Sequence, residues 1–109
     1  MLLAIALSAL SATPAQAQAA RDIDYLLTRI EQSSCQFVRN SKVHPPSEAA
    51  LHLRNKRAAA SRELTPEQFI ETIASKSSMS GEPYLIRCKG QADEQSGVWL
   101  RRALKERTG

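Results

Sequence analysis

Charge is missing where the chain begins. Residues 1–20 contain no Asp, Glu, Lys or Arg, and the apolar run from Leu2 to Leu10 gives way to small residues around Ala15-Gln16-Ala17. That succession is the pattern of a cleaved secretory signal. The positive start that such signals usually carry is lacking, since Met1 is followed directly by Leu2. Cleavage is expected after Ala17, or after Ala19 through the overlapping Ala17-Gln18-Ala19, leaving a single domain over residues 21–109. No Cys adjoins either site, which argues against an acylated lipoprotein. The apolar run is about half of the roughly 20 residues that cross a bilayer. The mature chain is therefore expected to lack a transmembrane segment and to be periplasmic or secreted. At 109 residues the length excludes a two-domain enzyme, a dinucleotide-binding α/β fold and a barrel.

Aromatic residues make up only 5% of the chain. So few stacking platforms, on an exported protein, exclude nucleic acid as a partner. Cysteine is almost absent as well: Cys35 and Cys88 are the only two, and no C-x-x-C motif occurs. Two isolated cysteines with two histidines make a poor zinc set. In an exported chain the pair reads as a structural disulfide, with a redox or metal role as the alternative. Closing a loop of roughly 50 residues would stabilise the fold by about 4 kcal/mol. No G-x-S-x-G elbow and no S-x-x-K motif is present.

What the chain does have is a mild excess of basic residues, 15 Lys+Arg against 11 Asp+Glu, for a net charge of +4. A soluble basic surface is the simpler account. Attraction to anionic envelope polymers or lipid headgroups is the sharper one.

Periodicity predicts four helices. Ile23, Leu26, Leu27 and Ile30 form one stripe of a helix over 21–34, with Asp22 and Asp24 in its first turn, where negative charge suits the helix dipole. A second helix over 47–62 follows Pro45-Pro46 and carries the small-residue stripe Ala49, Ala50, Leu53 and Ala60. The third has the clearest start: Thr65-Pro66-Glu67-Gln68 is a capping box with proline at the first helical position, and Leu64 and Phe69 form the staple pair across it. A last helix, capped by Ser96, points Trp99, Leu100, Ala103 and Leu104 inward. Cys35 to Arg39 and Lys42 to His44 read as a small hairpin turning at Asn40-Ser41. Tyr84 to Cys88 is the other strand, and 89–95 reads as loop. Cys35 opens one strand and Cys88 closes another, so antiparallel pairing would bring them together. The expected fold is α+β and mainly α, about four helices packed on a two- to three-stranded antiparallel sheet.

Four sets of strings follow one another along the chain: Phe37-Val38-Arg39-Asn40, Ala50-Leu51-His52-Leu53-Arg54-Asn55-Lys56, Glu67-Gln68-Phe69-Ile70, and Ala74-Ser75-Lys76-Ser77-Ser78 with Gly81-Glu82-Pro83-Tyr84. On them the chain resembles the YfeK-like family of small exported bacterial proteins, a domain of unknown function, over about residues 23–106. The family pattern usually has Gly where this chain has Ser41. The resemblance implies an envelope location, a fold and, in many members, a cysteine pair at the positions of Cys35 and Cys88. It implies no reaction and no cofactor.

Polar residues gather in three places, and together they make a candidate binding site for an anion. Arg39, His52 and Lys56 supply positive donors; Asn40, Ser77 and Ser78 supply neutral ones, with Tyr84 beside them. A polar loop next to a short sheet can also turn backbone N–H groups toward a carboxylate or phosphate. The expected function is a binding or interaction module with a polar, basic face, its partner an envelope protein, a polymer or a small anionic ligand. The alternative is a small hydrolase using His52 with a serine of the 75–80 loop. Against it, those serines suffice to cap the third helix and satisfy loop backbone, with Gly81 at positive φ. His44, Glu48 and His52 stand at four-residue intervals, as a metal face would, but Pro45-Pro46 interrupts the helix. No metal is expected, and His44 is placed at an exposed strand end.

Overall fold

A computed structural model describes residues 11–109; most of the expected export signal lies outside them. The first helix, α1 (Pro14–Gln32), starts a full two turns before the expected residue 21. The Thr13 hydroxyl accepts from Gln16 N–H while the Gln16 side chain accepts from Thr13 N–H, and Pro14 occupies the first turn. That box and the Ala/Gln run behind it are strong helix signals. Asp22 and Asp24 are therefore not in the first turn. Asp22 is buried instead, bonded to Gln18 and to Arg107 at 2.8 Å from the far end of the chain. Arg107 holds its carboxyl below the ordinary value, against the opposing effect of burial.

The hairpin of β1 (Gln36–Arg39) and β2 (Lys42–His44) pairs Val38 with Val43 and Arg39 with Lys42. Asn40 and Ser41 both take positive φ, 48° and 65°. This is the two-residue turn whose twist matches antiparallel strands, formed here with Ser41 in place of glycine. β3 (Leu85–Arg87) pairs antiparallel with β1, Gln36 opposite Arg87. One step beyond that pair lies the Cys35–Cys88 disulfide, its Cα atoms 4.2 Å apart. The sheet has four strands rather than two or three: β4 (Glu94–Gln95), in the stretch expected to be loop, adds to β3 and gives the order β2-β1-β3-β4. Two residues are too short for any period to show. Ion pairs Arg87–Asp93 and Arg102–Glu94, both two-pronged, hold that edge.

α2 (Pro46–Ala59) ends three residues before the expected 62 and buries Ala49, Ala50 and Leu53 against α1; Ala60 sits at its C-cap. The third helix starts as expected, with both halves of the Thr65–Gln68 box formed and Leu64 and Phe69 buried. After α3 (Pro66–Phe69) the chain widens into a π-helical turn, Ile70–Ala74. Such a turn leaves carbonyls that need donors from elsewhere. Ser75 Oγ donates to Ile70 O, Lys56 Nζ to Ile73 O, and Ser96 Oγ to Ala74 O. Ser96 therefore does not cap the last helix, α4 (Ser96–Thr108), whose N-cap residue is Gln95. A buried carbonyl claims its hydroxyl first. α4 also crosses the π turn closely, at Gly97: a Cβ there would stand 2.6 Å from Ser75 Oγ. Leu100 and Ala103 are buried as expected, with Trp99 and Leu104 packed at the core's margin.

Candidate functional site

The site is built where the hairpin turn meets α2 and the loop after the π turn. In the β1 register, Phe37 faces the core, and side chains two apart share a face, so Arg39 emerges on the same side at the sheet's end. α2 presents His52 and Lys56, one turn apart. The loop 75–83 folds back on itself through Ser77 N–H to Glu82 O and Tyr84 N–H to Ser75 O, with Gly81 at φ 74°. Its tie to the hairpin is Asn40, whose amide donates to Ser77 Oγ and accepts from Ser80 Oγ at 2.6 Å.

A cleft of about 390 Å³ lies between these pieces, lined by Arg39, Asn40, His52, Lys56, Ser77, Ser78, Tyr84 and Met79. All seven residues singled out in the sequence line this one cleft, so the structure brings together what chain order keeps up to 45 positions apart. Met79, the eighth, is 98% exposed at the rim. Nothing in its polar surroundings signals it.

The seven are not equally free. Lys56 Nζ donates to Ile73 O, Lys76 O and the Tyr84 hydroxyl at 2.9, 3.0 and 3.3 Å, which uses all three of its donors. It also lies over the Tyr84 ring. Burial, then Arg39, lowers its pKa, and burial raises that of Tyr84. The Ser77 hydroxyl is buried and accepts from Met79 N–H and Ser80 N–H. Lys56 and Ser77 thus build the wall of the cleft. Arg39 is half-buried and has no carboxylate within ion-pairing distance among the described residues, whereas Arg29, Arg54, Arg57, Arg87, Arg101, Arg102 and Arg107 each have one.

His52 stacks edge-on to Tyr84, and its Nε2 is buried without a partner. No serine of the 75–80 loop bonds to it. Burial first, then Arg39, Lys56 and His44, hold its pKa below the usual 6.5. His44 is not at an exposed strand end: its side chain is only 16% exposed, Nδ1 lies 2.8 Å from Glu48 Oε1, and Nε2 is buried without a partner. Helix α2 begins right behind β2 and covers the ring. His44, Glu48, His52, Arg39 and Phe37 enclose a cell of about 20 Å³, and no group of three or more ligand residues suited to a metal occurs among the described residues.

A family model described as a family of unknown function, DUF5329, matches residues 17–108. Over 49 residues the chain is 47% identical to the Uncharacterized protein YfeK of Salmonella typhimurium, which covers 44% of this chain and 41% of that protein. The matched stretch thus spans about two fifths of the curated relative. No solved structure matches the chain.

Proposed function

We propose, on the footing that the chain belongs to the DUF5329 family of unknown function, that it is an exported binding module whose cleft accepts an anionic group. The observation that carries this is Arg39, half-buried in a concave site with no carboxylate in ion-pairing contact, the nearby Glu48 being taken by His44. A guanidinium so placed has lost part of its hydration and gains most from an incoming carboxylate, phosphate or sulfate. The Ser78 hydroxyl and the Asn40 amide stand beside it as neutral donors. The hydrolase reading has less support: the hydroxyls of Ser75, Ser77 and Ser80 are committed to backbone or to Asn40, and Ser78, which shares the cleft with His52, makes no hydrogen bond to it.

Sulfate is a suitable first probe, followed through the Arg39 Nε–H signal by NMR titration. Arg39→Gln removes the charge-assisted contact, and about a 10- to 100-fold loss of sulfate affinity is expected. Equal affinity in the two proteins would remove Arg39 from the site.

Export rests on three supports: the charge-free start, the disulfide, and the burial pattern of α1. Among residues 11–21 none is buried, and the core begins at Asp22 and Ile23. Among the described residues 11–17, cleavage would cost the helix its Thr13–Gln16 cap and no buried side chain. Among the described residues no helix is long and apolar enough to cross a membrane. N-terminal sequencing of the protein from its native host should begin at Gln18 or Ala20; an intact chain beginning at Met1 in the cytoplasm would overturn the proposal.

A further inference from the structure

His52 and Arg39 line two spaces at once, the open cleft and the one-water-sized cell beneath the hairpin. They form the partition between them. We infer that the cleft takes up its anion together with a proton, and that the His52 imidazole is the group that receives it. This rests on the anion reading of the cleft and adds the pH regulation of that site.

Several elements bring charge toward His52. From β1 comes Arg39, with Lys42 opposite it in the register. From β2 comes His44, bound to Glu48 of α2. Lys56 follows His52 one turn along α2, and Tyr84 leads into β3. The one carboxylate among these, Glu48, is engaged by His44. The wall of the cleft is therefore positive and partly buried, which disfavours the charged imidazolium, in keeping with the lowered pKa of His52. An added proton would find no counter-charge there.

An anion on Arg39 reverses that balance. It brings negative charge to the same wall and offsets the guanidinium that had opposed protonation. The imidazolium then gains a counter-charge across the same wall, and its buried Nε2 has no hydrogen bond to lose on protonation. Coupling of this kind is reciprocal: if the anion raises the affinity for a proton, a proton raises the affinity for the anion. One group gives at most about a tenfold gain per pH unit, between its free and bound pKa values.

Sulfate tests the idea, because its charge does not change over the range used. Binding to the full exported protein is measured at about pH 5 and about pH 8, and we expect at least about fivefold tighter binding at the lower pH from a single coupled proton. His52→Gln keeps a polar side chain and should bind sulfate with little change between the two pH values, while His44→Gln should retain the dependence. In the unaltered protein the His52 ring signals should titrate at higher pH with sulfate present than without it, a readout that does not depend on any variant folding. Measurable sulfate binding with no pH dependence, or a dependence that survives His52→Gln, overturns the inference and leaves the cleft standing. No binding at either pH overturns the anion reading and the inference together.

Discussion

Replacing both Cys35 and Cys88 by alanine should lower the stability of the folded domain by about 4 kcal/mol. The bond spans 53 positions, and the segment it closes holds the hairpin, α2, the third helix with its π turn, and β3. Without the link, the unfolded chain gains the freedom of that whole loop. A domain of this size has about 5–15 kcal/mol in total, so the loss is a large share. Urea denaturation of the double variant, and of the native protein under reductant, should show the same fall in midpoint. A difference below about 1 kcal/mol would mean that the unfolded chain stays compact without the bond, contrary to the entropic account.

The second large effect is expected at Phe69, whose side chain has no exposed surface. It is the residue that the Thr65 cap delivers into the core, opposite Leu64. Phe69→Ala should cost about 3–5 kcal/mol through lost burial and the cavity left behind. Met79→Ala, at the rim of the cleft, should stay within about 0.5 kcal/mol of the native protein. Thermal melts of the two variants side by side separate core from rim. A Phe69→Ala protein that melts like the Met79→Ala one would show that the third helix is not anchored there.

The features legible in the sequence were those with strong local rules. Ile23, Leu26, Leu27 and Ile30 fell on the buried face of α1; Thr65 and Gln68 formed their box; and Cys35 met Cys88 once the strands ran antiparallel. The seven cleft residues were also brought together, because they lie on a turn, a helix face and a loop that fold onto one end of the sheet. What the sequence hid was competition for polar groups. Lys56 reads as a free cation but is drawn to carbonyls that only the π turn leaves open. Ser96 reads as a cap but answers Ala74 O across the fold. His44 reads as exposed because prolines follow it, yet those prolines start the helix that covers it. β4 and the early start of α1 escaped for simpler reasons: two residues carry no period, and a run that looks like an export signal conceals a helix start.

The π turn also turns part of the fold into a matter of counting. A turn of that width is an α-helical turn with one residue added. Take that residue away from Ile70–Ala74 and everything after it rotates by about 100° about the helix axis. Ser75 would leave Ile70, Ala74 would turn from Ser96, and Ser77 would swing off Asn40, although no side chain had been changed. The opening of the cleft is thus encoded in segment length as well as in residue type. For such a chain a point substitution at a lining residue removes one side chain from the cleft, whereas a single deletion within Ile70–Ala74 displaces a whole wall of it.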